Sequence, residues 1–371
     1  MRFVPFELER WQSRWEHHVR FNLSESGVHP LSAGELLDLA GADPKNLQDL
    51  SLGYSQADGT EQLREAIAGL YPGATPDHVI VTVGSSEANF VTSWTLIQPG
   101  DSVAALEPMY RQTWGLAQNF GANLATFHLK PELGWDPDPA DVKRAIPAGT
   151  KLVVVTNPNN PTGHVLSTVA REAILEQVRA AGAWLLADEV YQGAELNGVT
   201  TQSFWGSYER TVIVNGLSKA YGLPGLRIGW MVGPPELKQL VYERHDYTVI
   251  CPTPLSDYLA RCALAVREKI LARTRRILKE NYPVLEAWLK GFGDSFEWRA
   301  PDCGAICFAR YRKAIEAADL ADRVRLAHGV LLQPGDHFGC PRYLRFGYGS
   351  EPAAFKDALA AMEPTMKECL T

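Results

Sequence analysis

Between residues 60 and 233 the chain alternates short apolar runs with stretches of helical periodicity, and this alternation limits the fold more than any other feature. TEQLREAIAGLY spaces its apolar residues three and four apart, as a helix with one buried face does; HVIVTVG is β-branched and strand-like; SSEANFVTSWTLI is helical again. The rhythm continues through DSVAALEP, KLVVVTNP, AWLLADEVY, TVIVNG and RIGWMVG. These runs are apolar on both faces, which suits parallel strands covered by helices rather than a sheet with one wet face. The expected fold class is therefore α/β, with a large domain over residues 47–250 built on a mostly parallel central sheet.

Beyond Pro252 and Pro254 the texture changes to PLSDYLARCALAVREKILARTRRILKENYPVLEAWL, a charged amphipathic stretch that predicts one long helix or two in series. A small α+β domain over residues 251–371 is expected from there, with strands at ICFARY and YLRFGYG and helices at LADRVRLAH and FKDALAAME. Residues 1–46 are expected to join that small domain. No repeat period or low-complexity segment is visible, so solenoids are set aside.

Composition narrows the function. The 371 residues are 46% apolar and 21% charged, those of a folded globular chain, and the net charge of −7 comes with no long basic run, so no nucleic-acid partner is expected. The six cysteines are scattered without a disulfide framework or a CxxC pair and are read as reduced thiols. MRFVPFELERWQSRWEHH carries acidic residues from Glu7 onward and lacks an apolar core segment, which predicts neither signal peptide nor membrane anchor and a cytoplasmic location.

The chemistry is expected where polar residues follow strands. Gly84, Ser85 and Ser86, then Asn160, Asp188 and Lys219, each sit just past the carboxyl end of a predicted strand, the edge at which open α/β sheets bind ligands. Lys219 is a primary amine able to form a Schiff base, Asp188 closes an apolar run too deep for a free carboxylate without a cation, and the Gly-Ser-Ser turn opens a helix whose N–H groups can hold an anion.

GYSQADGTEQLREAIA, VGSSEA, EPMYRQTW, NPNNPTG, DEVY, NGLSKAYGLPGLRIGW and YLRFGYG, in that order, resemble the fold type I, pyridoxal-phosphate-dependent enzymes of the class I/II aminotransferase family over nearly the whole chain. The resemblance implies the cofactor pyridoxal 5′-phosphate and an amino-acid substrate. Lys219 would bond the cofactor aldehyde and move protons, Asp188 would pair with the pyridine nitrogen, and Tyr191 and Asn160 would hydrogen-bond the phenolic oxygen. Gly84, Ser85, Ser86, Ser218 and Arg227 would hold the phosphate. Tyr110 would stack on the ring, Arg345 would take the substrate α-carboxylate beside Asn160, and the Asn160–Pro161 bond would be cis. Tyr54 matches a tyrosine that reaches the partner subunit's cofactor, which implies a homodimer with shared active sites. Where many family members carry a serine three places before the lysine, this chain has Gly216.

The reaction is less constrained. The resemblance favours an aminotransferase acting at the α-amino group of an L-amino acid. NLSESGVHPLSAGELL also resembles the N-terminal region of capreomycidine- and enduracididine-forming cyclases, which close a ring on a hydroxylated arginine. That alternative puts Ser26, Gly27, Val28 and His29 in the substrate pocket, His29 near the leaving hydroxyl, and an acidic group such as Glu7, Glu9, Glu25 or Asp58 facing a guanidinium. Two competitors fail. A cofactor-sensing transcription regulator would need a basic DNA-binding module for which residues 1–46 leave no room, and a dinucleotide dehydrogenase would need a GxGxxG turn absent after every predicted strand.

Overall fold

The computed structural model describes residues 3–371. Eight strands form the main sheet: β1 (Val79–Val83), β2 (Ser102–Glu107), β3 (Asn123–Lys130), β4 (Asp136–Pro137), β5 (Leu152–Thr156), β6 (Trp184–Asp188), β7 (Thr211–Gly216) and β8 (Ile228–Val232). Their spatial order is β1-β8-β7-β6-β5-β2-β3-β4. The pairings from β7 across β6, β5 and β2 to β3 are parallel, while β8 runs against both of its neighbours and the short β4 against β3. Because β8 reverses direction twice over, β1 points the same way as β7, and the carboxyl ends of β1, β5, β6 and β7 share one edge.

The strands form where the sequence offers β-branched and aliphatic runs that bury both faces: every residue of β5, β7 and β8 is buried. The apolar pattern missed β3. NLATFHLK exposes Asn123 and His128 near the edge of the sheet, so it never reads as a continuous apolar run. One layer of core lies between the sheet and helices α2 (Ser85–Leu96) and α4 (Pro235–His245), with Val91, Leu237 and Val241 packed on Val103, Val212 and Met231. Between these two helices, α3 (Thr168–Ala181) covers the opposite face through Ile174, Leu175 and Val178.

The charged stretch after Pro252 forms two helices, α5 (Pro254–Ala265) and α6 (Arg267–Lys290), interrupted at Val266, whose φ of −117° and ψ of 24° leave the helical region. A second, antiparallel sheet follows, β9 (Phe296–Trp298), β10 (Ile306–Tyr311), β11 (Gln333–Pro334) and β12 (Tyr343–Gly347), in the order β9-β10-β12-β11. Helices α7 (Ala317–His328) and α8 (Pro352–Leu370) flank it.

The N-terminal segment is laid across this second unit. Phe21 and Asn22 pair in parallel with Val330 and Leu331, the Trp11 indole donates to Leu332 O at 2.9 Å, and Gly347 N donates to Leu23 O at 2.7 Å. Helix α1 (Glu7–Trp15) precedes that strand, and Val4 N donates to Asn119 Oδ1 at 2.8 Å on the large sheet's side. No helix among the described residues is long and apolar enough to cross a membrane.

The fit between segment and sheet is close at Gly347, where an added Cβ would lie 2.1 Å from Glu25 O and 2.9 Å from Leu23 O. Gly347→Ala is therefore expected to destabilise by about 2 kcal/mol through overpacking against backbone. Gly115→Ala, on a helix with nothing within 4 Å of the added carbon, is expected to be neutral or to stabilise by up to about 1 kcal/mol. Thermal unfolding of the two variants checks both signs; equal midpoints would contradict this account of the N-terminal segment.

Candidate active site

One cleft of about 350 Å³ opens at the shared strand edge. Ser85 and Ser86 reach it from the turn after β1, Asn160 from the loop after β5, Asp188 and Tyr191 from the end of β6, Ser218 and Lys219 from the turn after β7, and Tyr110 from the loop after β2. Arg345 comes in from β12, and α1 closes a wall with Leu8, Glu9 and Gln12, continued by Glu16 just past its end.

At one end of the cleft three glycines clear room around a helix start. Gly84 precedes α2 with a φ of 78°, and no side chain caps the helix. A Cβ on Gly229 would lie 2.2 Å from Ser85 N, one on Gly216 would lie 3.1 Å from Gly229 Cα, and one on Gly84 would lie 2.2 Å from Arg227 Nη2. Gly216 keeps this close strand pairing uncrowded. Arg227, in the left-handed region at φ 50°, holds its guanidinium over the turn and donates to Ser218 Oγ at 3.4 Å and Pro224 O at 2.9 Å. Uncapped N–H groups, the positive end of the helix dipole, two serines and a guanidinium can hold a dianionic phosphate.

At the other end lies Asp188. It is buried, accepts from Asn89 Nδ2 at 3.0 Å and from Val190 N at 3.3 Å, and is followed by turns rather than a helix, so it caps none. Burial pushes its carboxyl above the ordinary range, while the two hydrogen bonds and the Lys219 charge pull the other way. Its local partners are neutral, and an aromatic N–H⁺ placed there would supply the missing charge. Tyr110 is half-buried; its hydroxyl donates to Glu9 Oε1 at 2.7 Å.

Lys219 stands between these ends. Its Nζ donates to Glu25 Oε1 at 2.9 Å; burial lowers its pKa, but the Glu25 and Tyr191 charges more than offset that, and the net direction is upward. Burial raises the Tyr191 phenol, with Lys219 and Arg345 opposing. Arg345 is buried, donates through Nη1 to Asn160 Oδ1 at 2.8 Å and through Nη2 to Ser24 O, and its Nε has no partner among the described residues. A buried guanidinium bonded only to an amide and a carbonyl is a receptor for a carboxylate. The Asn160–Pro161 bond is cis, as are Glu107–Pro108 and Asn157–Pro158.

The structure separates other expected residues from this cleft. Val28 does not line it: its side chain is core, 3% exposed, packed where a Cβ on Gly222 would lie 2.7 Å from its Cγ2. His29 is also outside, because Arg273 donates to its carbonyl at 3.0 Å and lies 3.0 Å from Nδ1, with Glu351 at 3.4 Å. Gly27 backs onto the lysine, a Cβ there falling 3.6 Å from Lys219 Cα, so it supports the wall from behind. Among the acidic candidates Glu9 and Glu25 line the cleft. Glu7 lies instead in a groove with Phe3, Arg111 and Trp114, and Asp58 is paired with Lys238 at 2.6 Å and Arg64 at 3.4 Å. Tyr54 is 90% exposed on a separate surface with Leu52, Val249 and Pro252. Sequence reasoning missed Asn89, Gln12 and Glu16. The last two could have been found from Glu9, Gln12 and Glu16 falling on one helical face.

A lysine amine between a buried acid and an uncapped helix start, on the carboxyl edge of a mostly parallel sheet, defines a fold type I pyridoxal-phosphate enzyme. The chain belongs to the aminotransferase class I and II family, whose model matches residues 27–362. It is 32% identical to capreomycidine synthase of Streptomyces vinaceus over 96% of this chain and 92% of that protein. A PLP-dependent aminotransferase from Streptococcus suis superposes with a TM-score of 0.94 at 29% identity, covering 100% of this chain and 99% of the other. The PLP-dependent cyclase OrfR does so with a TM-score of 0.92 at 29% identity, covering 99% and 98%.

The Asp188 reading has a stability consequence. A carboxyl whose folded pKa is raised above its ordinary 3.8 binds protons more tightly when folded, so it costs the cofactor-free protein stability as the pH rises past that value. Asp188→Asn is expected to match or exceed the wild-type thermal midpoint at pH 7 without cofactor, and to bind pyridoxal phosphate at least about tenfold more weakly. A variant that unfolds more readily but binds the cofactor normally would contradict the assignment.

Proposed function

We propose that this enzyme transfers the α-amino group of an L-amino acid whose side chain ends in a cation. The observation that carries the reading is the pair of buried, locally uncompensated charges, Asp188 and Arg345, on either side of the Lys219 amine. Pyridoxal phosphate, when bound, supplies an aldehyde and an electron-withdrawing ring that stabilises negative charge at the substrate's α-carbon. The residues of the cleft suit that group: Asp188 would meet the ring nitrogen, Tyr191 and Asn160 the phenolic oxygen, and Tyr110 the ring face. The Ser85 and Ser86 amides, Ser218 and Arg227 hold the phosphate in the room that Gly84 leaves.

Arg345 binds the α-carboxylate through its planar fork and so fixes which α-bond faces Lys219. Lys219 takes the α-proton and delivers it to the acceptor atom, acting as base and then acid. The side chain of the substrate then faces Glu9 and Gln12 on α1 and Glu16 just past its end, a wall of carboxylates and an amide that suits a guanidinium or ammonium and repels an acidic side chain. These residues precede position 27, outside the stretch that the family model matches. We further propose a homodimer, in which the exposed patch of Leu52, Tyr54 and Val249 is covered by a second copy.

A second reading, elimination and ring closure on a hydroxylated arginine, is favoured by the similarity to capreomycidine synthase, which extends over 96% of the chain. The two are separated by incubating the holoenzyme with arginine, ornithine, aspartate and 3-hydroxyarginine and analysing products. A keto acid from a basic amino acid supports transfer; a cyclic amino acid with no keto acid supports closure; turnover of aspartate alone would contradict the acidic wall.

Two substitutions test the shared machinery. Lys219→Ala is expected to remain folded and to lose the absorption band of lysine-bound cofactor, and an unchanged spectrum would remove the assignment. Arg345→Lys is expected to raise KM about tenfold or more, with cofactor affinity altered far less, because one bidentate contact is lost and the phosphate contacts are not.

A further inference from the structure

Glu25 is the carboxylate closest to the chemistry, and substrate recognition leaves it without a role. Its Oε1 accepts from Lys219 Nζ at 2.9 Å and also from the backbone N–H groups of Ser26 and Gly27 at 2.8 and 2.9 Å. An oxygen fixed by two amides cannot swing away as a surface glutamate does. The backbone around it is held as well: Leu23 O accepts from Gly347 N, Ser24 O from Arg345, and Gly27 rests against Lys219 Cα. The N-terminal segment is thereby shaped to put one oxygen on the lysine amine.

We propose that Glu25 is a positioning residue that holds the Lys219 amine on the N-terminal side of the cleft and favours its protonated form in the cofactor-free protein, and again once the amine has taken the substrate's α-proton. The inference rests on the reading of Lys219 given above. During proton transfer the substrate's α C–H bond breaks, its electron pair stays on carbon, and an N–H bond forms at Nζ. Glu25 then accepts a hydrogen bond from the ammonium and takes no proton itself. The neighbouring charge of Lys219 and the two amides hold its carboxyl down to about 2 against the cost of burial, so it stays ionised through the working range. The other ionisable groups facing the amine are Tyr191 and Asp188 from the end of β6 and Arg345 from β12; the arginine alone disfavours the ammonium, and it already donates to Asn160 and Ser24. A consequence follows for cofactor capture. Only the neutral amine attacks an aldehyde, so the wild-type protein should capture pyridoxal phosphate slowly at neutral pH and faster as the pH rises.

The test follows capture by absorbance after mixing the cofactor-free full chain with pyridoxal phosphate across a pH series. Glu25→Gln keeps the shape and removes the charge; it should move the midpoint of the rate profile down by about one pH unit, making capture near neutrality roughly tenfold faster. Glu25→Asp keeps a carboxylate and should stay close to the wild-type midpoint. A Glu25→Gln midpoint equal to wild type, or a Glu25→Asp midpoint equal to that of Glu25→Gln, overturns the proposal. If Glu25→Gln does not fold, Glu25→Ala takes its place with the same outcomes. Lys219→Ala in the same assay separates the two levels: a persisting lysine-type band sinks the Lys219 reading itself, whereas a silent Lys219→Ala beside an unmoved Glu25→Gln sinks the role of Glu25 alone.

Discussion

Two charges that this chain takes out of water, Asp188 and Arg345, meet only neutral partners within hydrogen-bonding distance, and the architecture is what keeps them there. Neither would persist in a folding core for its own sake, since an unmatched buried charge costs several kcal/mol. Asp188 is held by Asn89 and the Val190 amide at the end of a strand whose neighbours pair in register on both sides. Arg345 is held by Asn160 and Ser24 from a different sheet. The distance between them is set by how the two sheets meet, so the whole framework serves to present an acid and a base to something that enters from outside. On the proposed reading that cost to the empty protein is offset in two parts, by a cofactor ring nitrogen at Asp188 and by a substrate carboxylate at Arg345, so that each site favours the group that brings its counter-charge.

Much of this was legible in the sequence because the chemistry sits where secondary structure ends. Asp188, Lys219 and the Gly84-Ser85-Ser86 turn each close an apolar run, and a strand terminus is readable from residue type alone. What the sequence could not convey was which face of an irregular segment looks inward. SGVH names four successive residues, and only Ser26 lines the cleft; Gly27 turns its backbone to the lysine, Val28 enters the core and His29 faces Arg273. A periodicity of two or 3.6 would have sorted them, but a segment pinned by Leu23 O and Ser24 O obeys neither. Asp58 failed for a related reason, since proximity in sequence to a motif says nothing about the cations, here Lys238 and Arg64, that reach a carboxylate first, and Glu7 failed because it lines a different groove. The missed strand Asn123–Lys130 belongs to the same class: near the edge of a sheet, burial on one face only dilutes the apolar signal.

The N-terminal segment now acquires a physical role beyond closing a wall. It pairs with Leu331, receives hydrogen bonds from Gly347 and Arg345, and presents Glu9, Gln12, Glu16 and Glu25 to a cleft whose remaining lining comes from the family's shared core. Because the same few residues touch the α-carboxylate receptor and the lysine, any displacement of the segment moves both together. On the proposed roles, substrate side-chain recognition and the protonation of Lys219 are coupled through one stretch of backbone. The contacts proposed for the phosphate and the ring come instead from the strand edge, within the stretch that the family model matches, so the segment can differ between relatives while those contacts stay the same.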